Sequence, residues 1–139
     1  LARFLAGSPV TSVRADAATE TGGPGDNVIA DMRFTDGSVA SVVYTSLGDT
    51  ALAKEYIEMF AGGRAATLDD FRTLSLAADG RVKSSSANQD KGHKQQLAAF
   101  VKSITENDGV PIDPAELIET SAATIAVLES LRTGNRIEL

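Results

Sequence analysis

The dipeptide Asp36-Gly37 constrains the fold more than any other stretch of this sequence. On its N-terminal side Val28, Ala30, Met32 and Phe34 alternate with Ile29, Asp31 and Arg33. On its C-terminal side Ala40, Val42 and Tyr44 alternate with Val39, Ser41 and Val43. Period-two alternation puts successive side chains on opposite faces of a strand. Two such runs around an Asp-Gly pair predict a β-hairpin over residues 27–45, closed by a two-residue type I′ turn whose positive φ Gly37 tolerates. A hairpin alone is marginal in water. This one therefore requires further strands and a layer over its apolar face.

The rest of the chain supplies both. Residues 1–6 read as the end of a helix stopped by Gly7. A helix end without a start, in a chain that opens on Leu1, suggests a piece of a longer protein. Residues 10–15 form a short strand, and the polar, glycine-rich residues 16–26 a loop. Residues 46–55 connect without a clear form. Residues 56–60 alternate again, Ala61-Gly62-Gly63-Arg64 turns the chain, and residues 65–68 return it. Residues 71–77 make another strand with Leu74 and Leu76 on one face. Asp79-Gly80 is a second hairpin signal leading into residues 81–85, with residues 84–89 as a polar loop.

From Asp90 the period changes. Leu97, Phe100, Val101 and Ile104 share one helical face, with Asp90 as N-terminal cap and residues 107–109 as the end. A second helix opens at Asp113, with Pro114 in the first helical position and Glu116 placed as in a capping box. Ile118, Ala122, Ile125 and Leu128 form its expected buried stripe, Gly134 stops it, and residues 136–139 add a short strand. Strands followed by helices define an α+β fold: an open-faced, mostly antiparallel β-sheet with helices packed on one face. Residues 1–139 read as a single domain. The uncovered face carries Ile29, Val39, Ser41 and Val43, too apolar for plain solvent exposure. It is read as an association surface for a homo-oligomer.

Composition excludes several functions. The 139 residues carry a net charge of −6, and the pI is about 4.7. Nucleic acid and anionic membrane surfaces both demand a basic excess, so neither is an expected partner. With no cysteine, disulfides, thiolate nucleophiles and zinc-thiolate sites are impossible, which fits a cytoplasmic protein. No run approaches the roughly 18 apolar residues of a membrane span. His93 is the only histidine, so a multi-histidine metal site is impossible. It is read either as a substrate or proton-transfer contact near a helix start, or as an ordinary surface histidine. Lys54-Glu55 and Asp69-Asp70-Phe71-Arg72 either bind a polar ligand or form solvated strand edges. Tyr44 is a ligand or partner contact, or half-buried sheet surface. Adjacent Asp69 and Asp70 diverge on a strand and make a poor metal site. Gly22-Gly23-Pro24-Gly25 lacks the flanking strand and helix of a dinucleotide fingerprint, and Gly62-Gly63 is a turn, so no nucleotide cofactor is held by this chain alone.

Taken together, residues 26–45, 54–60 (Lys-Glu-Tyr-Ile-Glu-Met-Phe), 68–72 (Leu-Asp-Asp-Phe-Arg), 90–93 (Asp-Lys-Gly-His) and 131–134 (Leu-Arg-Thr-Gly) resemble the C-terminal domain of the Gfo/Idh/MocA family of NAD(P)-dependent oxidoreductases. They are most similar to its predicted dehydrogenases, including chains fused to a zinc-alcohol-dehydrogenase-like part. The resemblance spans nearly the whole chain and implies a parent whose N-terminal Rossmann domain holds NAD or NADP. In that parent this domain lines the site for a sugar, cyclitol or related polyol and forms oligomer contacts. The Rossmann domain and its Glu-Lys-Pro segment are absent from these residues. So is the family's catalytic histidine or aspartate pair, which the resemblance places just before residue 1. No catalytic role passes to His93. Lys54, Arg72, Lys91 and His93 are the candidate substrate contacts. The alternative function is a non-catalytic dimerisation scaffold.

Overall fold

The computed structural model describes residues 1–18, 26–107 and 109–139. It is an α+β structure, as the sequence predicts. Its strands divide between two four-stranded antiparallel sheets that belong to two compact units, Leu1–Leu47 with Val110–Leu139, and Gly48–Gly109.

The first unit contains α1 (Ala2–Ala6), β1 (Val10–Ala17), β2 (Val28–Phe34) and β3 (Val39–Tyr44). Gly7 ends α1 in the left-handed conformation, φ 65°. The hairpin forms, with Ile29 opposite Val43, Asp31 opposite Ser41 and Arg33 opposite Val39. Its loop is not the predicted two-residue turn. Gly37 N–H donates to the Phe34 carbonyl, and Phe34 N–H to the Ser38 carbonyl, both at 3.0 Å. Residues 35–37 thus form a three-residue loop in which only Gly37 has positive φ, 89°, the arrangement of a type I turn with a glycine bulge. The Asp36 carboxylate is the reason. It accepts from the Ser38 N–H at 3.0 Å and the Ser38 hydroxyl at 2.9 Å, a local turn of the kind Asp side chains favour. The same bonds, the Ser38 N–H first, hold the Asp36 carboxyl below the usual carboxylate range.

β1 is longer than the sequence suggests. It continues through Asp16 and Ala17, opposite Ile29 and Val28, where a loop is expected. Of that expected loop, residues 19–25 lie outside the described residues. A bulge between Val10 and Ser12 shifts the β1 register by one residue. It lets both Val10 and Val13 reach the core, which strict alternation forbids at a spacing of three.

The core is small: Val10, Val13, Phe34, Ala123 and Ala126, with Met32, Ala40, Val127 and Ile137 packed around it. The last two alanines come from the second long helix, here α3 (Pro114–Thr133), which lies on β1, while β8 (Ile137–Glu138) pairs with β1 at the edge. Asp113 caps α3, accepting from the Ala115 N–H at 2.9 Å, with Pro114 following as predicted. The capping box does not form, because the Glu116 carboxylate is turned to Arg3 at 3.4 Å.

The expected buried stripe of α3 is overturned. Ile118, Ile125 and Leu128 are 71%, 66% and 65% exposed, and the buried positions are Ala123, Ala126 and Ser130. Small side chains let the helix axis sit close to β1, so branched residues at those positions would hold it off. Glu119 tightens the same contact, accepting from the Val10 N–H at 2.6 Å and from Arg3.

The second unit contains β4 (Tyr56–Ala61), β5 (Arg64–Asp69), β6 (Thr73–Ala78), β7 (Arg81–Ser86) and α2 (His93–Thr105), its strands paired in chain order. Two true type I′ turns join them. Gly62 and Gly63 have φ 54° and 74°, and Asp79 and Gly80 have φ 51° and 71°, as the sequence predicts for Asp79-Gly80. Phe71 is not a strand residue; it sits in the turn before β6 at φ 52°. Ser84 to Ser86 are strand, not loop. Their hydroxyls bond across the ladder, Ser84 with Ser75 and Ser86 with Thr73. The cap of α2 is Gly92, not Asp90. Leu97, Phe100, Val101 and Ile104 share one α2 face as predicted, and all four are exposed. Asp108, within the expected helix end, lies outside the described residues.

Candidate functional site

At one end of the second sheet, the entry to β4, the β5–β6 turn and the segment after β7 meet. Asp70 and Phe71 are consecutive left-handed residues, φ 49° and 52°, a conformation rare for a bulky side chain and found disproportionately at functional sites. Surrounding bonds hold it. The Asp70 N–H donates to the Glu55 carbonyl at 2.7 Å, and Arg72 N–H to the Asp69 carbonyl at 2.8 Å. Gln89 Nε2 donates to the Asp70 carbonyl at 3.1 Å and to its carboxylate at 2.9 Å. Arg72 Nε reaches Asp70 Oδ2 at 3.0 Å.

Lys91 Nζ donates to Glu55 Oε1 at 2.6 Å and stands 5.9 Å from the centroid of the Phe71 ring, within cation–π range. Glu55 Oε2 is buried without a hydrogen-bond partner among the described residues. Two carboxylates and two cations thus neutralise one another around a strained turn. Arg72 uses only its Nε here, and Lys91 one of its three donors. The remaining donors suit the hydroxyl, carbonyl or carboxylate oxygens of a polar ligand.

Of the four predicted substrate contacts, the structure brings Arg72 and Lys91 into this one cluster. Lys54 precedes Glu55 in the chain but makes no ion pair among the described residues. His93 is exposed at the start of α2, near Asp90. The Asp90 carboxyl accepts from the Gly92 N–H at 2.8 Å and Gln95 Nε2 at 2.7 Å. These bonds, the first above all, hold it below the usual carboxylate range. Sequence reasoning missed Gln89, which nothing distinguishes from its neighbours in a polar segment. Among the described residues no group of three or more acids or histidines fits a metal ion. Gly62-Gly63 joins two strands, not a strand and a helix, so it offers a pyrophosphate no helix N-terminus. These residues do not fit a nicotinamide nucleotide.

The open face of the first sheet is the second candidate surface. Register places Ile29, Val39, Ser41 and Val43 on it together, and Ile29, Val39 and Val43 are 50%, 75% and 66% exposed. Asp31 accepts from Ser41 on the same face, beside Arg33, Arg14 and Asp16. Tyr44 lies opposite Val28 on the other, helix-side face of edge strand β3.

No protein-family model matches this sequence, and no curated protein sequence matches it significantly. Solved structures do match its fold. UDP-N-acetylglucosamine 3-dehydrogenase GnnA from Acidithiobacillus ferrooxidans superposes with TM-score 0.80 at 20% identity, covering 93% of this chain and 42% of its own. Aldose-aldose oxidoreductase from Caulobacter crescentus, complexed with glycerol, gives 0.81 at 17% identity, covering 99% and 44%. The WlbA dehydrogenase from Bordetella pertussis, in complex with NADH and UDP-GlcNAcA, gives 0.62 at 23% identity, covering 100% and 41%. The fold is therefore one found in Gfo/Idh/MocA-type oxidoreductases. This chain spans less than half the length of the solved chains it resembles.

Proposed function

We propose that the chain is the C-terminal domain, residues 1–139, of a Gfo/Idh/MocA-family oxidoreductase that transfers hydride between NAD(P) and a sugar, cyclitol or related polyol. The observation that carries this reading is the fold likeness across nearly all of this chain and under half of each dehydrogenase it matches. The nicotinamide supplies the hydride chemistry, and a Rossmann domain outside these residues binds it. This domain contributes substrate contacts from the Arg72–Lys91 cluster and an oligomer face at Ile29, Val39, Ser41 and Val43. Lys54 and His93 are further candidate contacts at the margins of that cluster.

The test uses the full reading frame that encodes this chain. Nicotinamide reduction is followed with a panel of UDP-sugars, aldoses and cyclitols. The expected result is turnover of one member, with KM raised several-fold and kcat little changed in Arg72→Ala and Lys91→Ala. A gene product without a nucleotide-binding segment, or one that turns over nothing in the panel, overturns the reading.

A second reading, a dimerisation scaffold without a catalytic role, is favoured by the exposed apolar rows of the open sheet face. Val43→Asp places a charge in that face and is expected to reduce the solution mass, measured by light scattering, to that of a single copy. Assembly that survives this change while the parent's activity falls would eliminate the scaffold reading.

A further inference from the structure

The opposite end of the second sheet carries a feature that the hydride-transfer reading does not use. β5 and β6 pair from Asp69–Thr73 to Ala65–Ala77, while β4–β5 and β6–β7 each run further, to Ala61–Arg64 and Ala78–Arg81. The two hairpin tips therefore project past the last β5–β6 pair and leave a notch between them. The resulting cleft has a volume of about 660 Å³ and is lined by both glycine turns, by Arg64, Ala78 and Arg81 of one sheet face, and by Phe60, Ala65, Ala77 and Val82 of the other.

Directly opposed residues of an antiparallel ladder share a face. Arg81 opposes Ala78, and continuing the β5–β6 register sets Arg64 beside Ala78 from the other side. Arg64 and Arg81 thus stand on either side of Ala78 on the same face. Lys83, two residues after Arg81, shares that face, opposite Leu76. No carboxylate belongs to it: the other positions are Ile57, Met59, Ala61, Ala66, Leu68, Leu74, Leu76, Ala78 and Ser85. The strand carboxylates Glu58 and Asp69 are on the opposite face. Asp79 lies in the turn at the cleft, yet neither arginine has a carboxylate within ion-pair distance among the described residues. In a chain of net charge −6, cations gathered on an acid-free face without counter-charges are unusual. The arrangement is complementary to an oxyanion, because each arginine fork matches a phosphate edge with two parallel N–H donors.

We propose that this notch binds a phosphoryl-type anion, gripped by Arg64 and Arg81, with Lys83 adding to the local positive field. The small side chain of Ala78, between the two arginines, gives the anion room. The site is independent of the hydride-transfer reading and stands or falls without it.

The experiment titrates the chain with inorganic phosphate, and separately with diphosphate, at constant ionic strength by calorimetry. Saturable one-site binding of either anion is expected. Arg64→Gln and Arg81→Gln are each expected to weaken it by about tenfold, as loss of charge-assisted hydrogen bonds implies. Glu58→Gln, on the opposite face, should leave it unchanged. If the glutamine variants fail to fold by circular dichroism, Arg64→Lys and Arg81→Lys keep the charge but lose the fork, and weakened binding is again expected. Absence of saturable binding by the unaltered chain, or unchanged affinity in the arginine variants, overturns the proposal.

Discussion

The Ser130→Ala variant is expected to lose about 2–4 kcal/mol of stability, read from the denaturant midpoint of the unit that contains it, because a buried donor loses its acceptor and a second bond disappears. Ser130 is fully buried. Its hydroxyl accepts from the Ala15 N–H at 2.8 Å and donates to the Asn135 carbonyl at 2.6 Å. The first bond answers a deficiency in the sheet. β8 is two residues long and covers β1 only at Ser12 and Val13. On that edge the Ala15 N–H lies past the end of β8, so the helix hydroxyl does what a longer strand would do. A buried backbone N–H left unpaired is seldom tolerated. Ser130→Thr keeps the hydroxyl but adds a methyl group where the helix touches the strand. It is expected to fall between Ser130→Ala and the unaltered chain, and a Ser130→Ala midpoint equal to the unaltered one would refute the bridge.

Phe34→Ala should cost about 3–5 kcal/mol, the range for emptying an aromatic site in a packed core. Phe34 is the only aromatic residue in the cluster of Val10, Val13, Ala123 and Ala126, so nothing nearby can fill the space. The informative comparison is Leu128→Ser, measured in the same melts. The sequence pattern places Leu128 in the buried stripe of α3, whereas the structure leaves it exposed. A change within about 0.5 kcal/mol is expected at such a surface position. A loss at Leu128 as large as that at Phe34 would restore the sequence-based stripe and show that the helix is rotated from its described position.

These two variants show where sequence reasoning reaches its limit. Helix and strand periods, the caps at Asp113 and Gly134, and the Asp79-Gly80 turn depend on neighbours within a few residues, and each formed as read. On α3 hydrophobicity does not mark the buried side. Proximity to β1 selected size instead, and Ala123, Ala126 and Ser130 fit where Ile125 and Leu128 do not. The candidate site was legible in part. Arg72 and Lys91 stand out as charges beside strand ends, but Gln89 becomes a partner only because β7 delivers it to the Asp70 carbonyl.

The opening hairpin draws the same boundary within one element. Alternation alone determined its strands and their two faces, because a strand's side-chain period is fixed by backbone geometry. It also grouped Ile29, Val39, Ser41 and Val43 on one side. Local periodicity could not settle the loop at Asp36-Gly37, where the Asp36 carboxylate turned to Ser38 and left one left-handed residue in place of two. Nor could it choose which face α3 covers, or supply the hydroxyl that completes the β1 edge. Those depended on residues about a hundred positions away along the chain. Only tertiary structure brings such distant groups within hydrogen-bonding range.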